Sequence, residues 1–147
     1  MNEKKEKEEA QERQRLRSPV IYEIVRREGM EELRRPTSSL WWSGIAAGVG
    51  ISASLLGIGL LMHYLPDAAW APAVTSFGYC LGFLIVVLGR LQLFTEQTVT
   101  AVLPLLKSPT RDHWLATGRL WGVVLVANLV GTLLTAAFIV FAGPVHP

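Results

Sequence analysis

The chain has 147 residues, 50% of them hydrophobic, with 14 basic and 12 acidic side chains and a net charge of +2. Residues 1–39 hold 19 of these charges and residues 40–147 only 7, too few to cover the surface of a water-soluble domain. The composition therefore excludes a soluble globular protein and specifies an integral membrane protein. At about 20 apolar residues per crossing it allows three spans, or four with very short loops, and excludes a twelve-helix carrier.

Basic and acidic residues alternate in the tail, so there is no continuous basic stripe and no nucleic-acid partner is expected. One cysteine, Cys80, cannot form an internal disulfide, and His63, His113 and His146 lack metal-ligand spacing. Neither a metal nor any other cofactor is expected. Residues 1–39 also lack the apolar core of a cleavable signal peptide.

The segment Asn2 to Arg17 mixes Glu with Lys and Arg and reads as a solvated or disordered tail. Ser18 is an expected N-cap with Pro19 at the first helical position. Ile21, Ile24 and Val25 then share one helical face, predicting a short amphipathic helix on the membrane surface that Gly29 interrupts, Leu33 extends and Pro36 ends. Residues 1–39 thus form a cytoplasmic tail and surface helix, and residues 40–147 the transmembrane domain.

The first span is expected over about residues 40–65, with Trp41 and Trp42 at its interface. Gly44 and Gly48 form a GxxxG, and Ala46/Gly50 and Ala53/Gly57 repeat that spacing for a neighbouring helix. Ser52, Ser54 and His63 read as packing and interfacial residues. A loop with Pro66, Asp67 and Pro72 leads to an apolar run over residues 73–106, too long for one untilted crossing. It is broken near 89–97 (GRLQLFTEQ), where Arg90, Gln92, Glu96 and Gln97 enter at membrane depth. Such groups usually face a cavity or the bundle interior, and a discontinuous helix with a half-span over residues 98–106 accounts for them better than an interfacial loop.

Lys107 to Asp112 form a polar loop, and the third span covers about residues 114–141, with Gly118 and Gly122 as another GxxxG, Ala127 and Gly131 at the same spacing, and one amide, Asn128. Such an amide most often bonds a neighbouring helix, with pore contact the lesser alternative. Ten Lys and Arg residues precede the first span, none separate spans one and two, and Lys107 and Arg111 separate two and three. The positive-inside rule therefore puts the N-terminus in the cytoplasm. An odd span count means that an appended second copy inserts upside down, as in many transporters.

The stretch Gly82 to Thr95 (GFLIVVLGRLQLFT) resembles the second-helix motif of the formate/nitrite transporter family, in which an LFT sequence occupies the loop between two half-helices. Gly44 to Ser52 and Ala127 to Gly131 resemble that family's first and third helices in order and separation. The likeness covers roughly residues 18–143, and QLFTE at Gln92 to Glu96 looks most like the YfdC-type branch.

This resemblance implies half of an aquaporin-like inverted-repeat fold in the inner (plasma) membrane. It also implies a homo-pentamer whose six-span protomers each pass small monovalent anions such as formate or nitrite. By the same resemblance Tyr79 and Phe83 narrow the pore, Leu93, Phe94 and Thr95 form its gate, and Thr95 offers a hydroxyl to the anion. Glu96 departs from the small residue of many members, with Arg90 as its nearest charge partner. The family's spans four to six, with a histidine in the fifth, have no counterpart here. The chain is thus expected to be a truncated or split half that needs the missing C-terminal half. The alternative is a non-transporting membrane scaffold whose charged tail docks a cytoplasmic partner. An enzyme is not expected, because no nucleophile, base and orienting group occur together in the spans.

Overall fold

A computed structural model describes residues 19–141, and the charged tail, the Ser18 cap and the C-terminal residues 142–147 lie outside the described residues. The described chain is entirely helical. Helix α1 covers residues 19–34. It is followed by α2 (Thr37–Tyr64), α3 (Ala71–Ser76), a 3-10 turn (Phe77–Tyr79), α4 (Cys80–Leu88), α5 (Phe94–Thr100), α6 (Val102–Lys107) and α7 (Arg111–Phe141). Three segments are long and apolar enough to cross a membrane: Thr37–Tyr64, the run from Ala71 to Leu88, and Arg111–Phe141.

Helix α2 starts directly after Pro36, which is extended and has no backbone N–H to lose. It packs along α7 because small residues remove the side chains that would keep the backbones apart. A Cβ on Gly48 would collide with the Asn128 carbonyl oxygen, and one on Gly131 with the Ile45 carbonyl oxygen. Gly57 packs in the same way against Gly78 in the 3-10 turn. Gly118 and Gly122 differ from expectation: nothing lies within 4 Å of where their Cβ atoms would be, so this second GxxxG serves no contact among the described residues. It lies on a face of α7 that neither α1 nor α2 reaches.

Pro72 stands in the first turn of α3, so the second span begins slightly before the expected residue 73. Ser54 on α2 ties it down, donating to the Tyr79 carbonyl at 2.6 Å and accepting the Gly82 N–H at 3.1 Å. A polar side chain in an apolar helix thereby satisfies backbone groups of its neighbour. The span ends at Leu88. The half-helix then starts at Phe94, earlier than the 98–106 expected, because the polar residues Glu96 and Gln97 lie within the helix rather than in the break.

This second half bends between α5 and α6. Pro104 has no N–H for the Thr100 carbonyl and its ring crowds that oxygen. Gly29 of α1 lies against both the Thr100 carbonyl and the Pro104 ring, where a Cβ would not fit. Gly29 therefore does not interrupt α1, as composition suggests; the helix continues through it because glycine alone allows this approach. Leu33 enters a buried cluster with Leu40, Ala101, Leu120 and Val124.

Arg119, an overlooked cation in the third span, closes the C-terminal end of α1 by donating to the carbonyls of Leu33 at 2.8 Å and Arg35 at 3.2 Å. Terminal carbonyls lack helical partners and carry the negative end of the helix dipole, so a guanidinium suits both needs. Near the start of α1, hydrogen bonds from Arg26 and Arg27 hold the Glu23 carboxyl down at about 2. Lys107 approaches the same carboxylate at 3.9 Å.

Gly48→Leu should separate α2 from α7 and destabilise the chain by about 1–3 kcal/mol, the usual range for overpacking. Gly118→Ala should leave the melting temperature in detergent unchanged or slightly raised. Equal effects from the two substitutions would contradict this packing.

Candidate functional site

The break between α4 and α5 spans residues 89–93, and each turn of it has an identifiable physical cause. Arg90 has φ of 47°, in the left-handed region that side chains disfavour. Its N–H donates to the Val87 carbonyl at 3.2 Å and the next N–H, of Leu91, to the Val86 carbonyl at 3.0 Å. These two bonds form a Schellman ending, whose left-handed residue is usually glycine. Gly89 precedes that position and does not fill it.

Beyond Arg90 the chain is extended and hydrogen-bonded to its neighbours. The Ser43 hydroxyl on α2 accepts the Gln92 N–H at 3.2 Å. Asn128 on α7 does most of the holding: its Oδ1 accepts the Phe94 N–H at 2.9 Å, and its Nδ2 donates to the Gln92 carbonyl at 2.9 Å and the Gly44 carbonyl at 2.8 Å. One amide therefore bonds two backbone groups of the interruption and one of the first span. Glu96 and Gln97 N–H groups both donate to the Leu93 carbonyl. Among the described residues the N–H groups of Leu93 and Thr95 have no acceptor. The break thus presents two backbone donors rather than a full row of them.

The residues singled out by resemblance fall in three places. Tyr79 and Phe83 lie one turn apart with ring centroids 5.5 Å from each other, Tyr79 57% and Phe83 39% exposed. Leu93 and Phe94 are half-buried and Thr95 is exposed, and Phe94 packs against the cluster of Leu33, Leu40 and Leu120. Arg90 and Glu96 line one cavity of about 520 Å³ between α1 and the break, but no ion pair joins them. Glu96 stands in the first turn of α5, where a carboxylate complements the helix dipole.

Sequence reasoning missed Ser43 and Arg119 as holding groups, and it counted Gln92 only as a polar interruption. Their signal was weak because a serine or a single amide has many uses in a span. Gln97 is 5% exposed, and its main-chain carbonyl accepts the Trp121 indole N–H at 3.2 Å.

The chain matches the family model described as formate/nitrite transporter over residues 19–147. It belongs to the formate/nitrite transporter family. It is 44% identical over 120 residues to the inner membrane protein YfdC of Escherichia coli (strain K12), covering 82% of this chain and 39% of that protein. The chain therefore spans well under half the length of the curated relative it matches. No solved structure matches it. The family is described as one of transporters, and an interrupted span is tolerated where protein or water satisfies the freed backbone groups.

Asn128→Leu should strand the Phe94 N–H and the Gln92 and Gly44 carbonyls, at about 1–3 kcal/mol for each buried group left unpaired. Thermal unfolding in detergent checks this, and a loss below about 0.5 kcal/mol would show that the amide is not what holds the break. Arg90→Gly should raise stability by about 1 kcal/mol by removing the left-handed penalty; a drop in melting temperature would mean that the guanidinium makes contacts worth more than the strain.

Proposed function

We propose that this chain forms half of a pore for small monovalent anions of the formate/nitrite class. The observation that carries the reading is the interrupted second span, pinned by Asn128, in a member of a transporter family. Three spans followed by three of opposite orientation would complete an inverted repeat. Support for the missing half comes from the relative, of whose length this chain covers 39%. Further support comes from the spans themselves, of whose apolar windows only 22%, 22% and 17% is buried. The open Gly118 and Gly122 face suits a further helix, from that half or from another protomer of a homo-pentamer.

In this reading the protein sits in the inner membrane with its N-terminus in the cytoplasm, as its Lys and Arg distribution and the relative's name both suggest. Tyr79 and Phe83 form one constriction, and Leu93, Phe94 and Thr95 the gate. An anion at the gate meets the Thr95 hydroxyl, the unpartnered N–H groups of Leu93 and Thr95, and the positive end of α5. Phe83 and Leu93 strip its water, which favours ions that shed hydration easily or cross as the neutral acid. Arg90 and Glu96 act at the entrance rather than as a closed ion pair.

A scaffold whose tail docks a partner has less support among the described residues, since α1 is engaged by this chain's own α5, α6 and α7 through Gly29, Leu33 and Arg119.

Vesicles carrying this chain alone should pass neither formate nor nitrite above empty vesicles. The chain fused to a C-terminal three-span repeat from a family member should conduct, and Thr95→Val in that fusion should change the rate. A folded fusion that passes neither anion would refute the assignment, and unchanged rates would remove Thr95 from the gate.

A further inference from the structure

The left-handed backbone at Arg90 is not required by the packing of the break. With φ of 47° the position suits glycine, which adopts that conformation without strain, and Gly89 stands one residue too early to relieve it. Arg90 is also the only Lys or Arg between Arg35 and Lys107. It is exposed, and among the described residues its guanidinium makes neither a hydrogen bond nor an ion pair. Residues in such strained conformations persist where something beyond the local backbone favours the side chain.

The cavity between α1 and the break supplies the candidates for that role. Arg90 lines it together with Glu28, Glu31 and Glu32 of α1 and Glu96 of α5. Glu32 is engaged by Arg35 at 3.2 Å. Glu96 stands in the first turn of α5, so a pair with it would join the two ends of the break and reach no further. Glu28 and Glu31 are exposed, and among the described residues no cation lies within ion-pair distance of either. They are three residues apart on α1, a spacing at which two side chains can act on a common partner. Gly29, between them, already rests against the Thr100 carbonyl and the Pro104 ring. Helix α1 is therefore held beside the break, with these carboxylates on the opposite wall from the guanidinium.

We propose that Arg90 is the break's half of a latch: its guanidinium reaches across the cavity to Glu28 and Glu31 and ties the break to the helix that follows the charged tail. The structure holds the latch open, with the three side chains on one cavity of about 520 Å³ and no ion pair between them. Closing it takes rotation of exposed side chains, because α1 and the break are already in place. An exposed ion pair is weak, so it biases the two elements towards moving together rather than locking them. Such coupling is reciprocal: whatever shifts α1 shifts the break, and a change in the break is felt at α1. The latch concerns contacts within this chain and does not rest on the anion pathway.

Hydrogen–deuterium exchange of the purified full chain in neutral detergent tests this. Arg90→Gln should speed amide exchange over residues 28–34 by about two- to fivefold, the effect of losing one exposed ion pair. Glu28→Gln combined with Glu31→Gln should speed exchange of the Leu91 and Gln92 amides by a similar factor. All three substitutions together should add nothing further at either place. Arg90→Lys should keep the parent's rates. Arg90→Gly relieves the backbone strain yet should loosen α1 as Arg90→Gln does, a separation that a purely structural role for the position would not produce. In the unsubstituted chain, high salt should bring both segments to the variants' rates by screening the pair.

The proposal is overturned if Arg90→Gln leaves exchange in α1 unchanged, or if the carboxylate substitutions act on α1 alone. A combined variant that exceeds either set by itself would show independent effects and overturn it too. So would exchange in the unsubstituted chain that salt does not alter, a result that depends on no variant folding. None of these measurements reads formate or nitrite flux, so the latch and the pore fail separately.

Discussion

A single side-chain amide organises the centre of this protein. Asn128 bonds Phe94, Gln92 and Gly44 at once, and each of these is a backbone group that the interruption or a neighbouring span cannot satisfy by itself. In an apolar surrounding an unpaired backbone group is costly, so a helix can be interrupted only where such a partner stands. The amide's reach depends in turn on the approach of α2 to α7, which Gly48 and Gly131 allow by having no side chains at the contact. The small-residue pattern and the polar residue are therefore one device: the glycines bring the helices together and Asn128 uses the short distance.

The half-span after the break needs a different support. Helices of seven and six residues are too short to be stable alone, and Pro104 leaves the Thr100 carbonyl without its helical donor. Helix α1 braces them from outside, with Gly29 against that carbonyl, Leu33 in the buried cluster and Arg119 closing its far end. A segment that composition marks as a surface helix is thus part of the packing around the break. Its acidic face also forms one wall of the cavity, so the same element that stabilises the half-span sets the charge beside it.

Much of the architecture was legible from the chain itself. Charge placement excluded a soluble protein, hydropathy and length required three spans, and the polar residues from Arg90 to Gln97 marked where the second had to break. The resemblance carried by the LFT stretch agreed with the family match. Less legible were the pairings. Glu96 and Gln97 looked like part of the interruption but are helical, since polarity at membrane depth marks a special site without saying whether its backbone is broken. Gly118 and Gly122 have the same spacing as Gly44 and Gly48, yet they meet nothing in this chain, because spacing describes a helix face and not its neighbour.

The amino-acid order alone determined the membrane class, the number of spans, the family and the position of the break, because each depends on local composition or on a contiguous motif. Only the tertiary structure decided that Asn128 holds the break rather than merely joining two helices, that Arg119 closes α1, and that Glu28, Glu31, Glu32 and Glu96 line one cavity. Those facts depend on residues up to 86 positions apart coming within hydrogen-bonding distance. Such proximity follows from how closely helices can approach, which no run of neighbouring residues records.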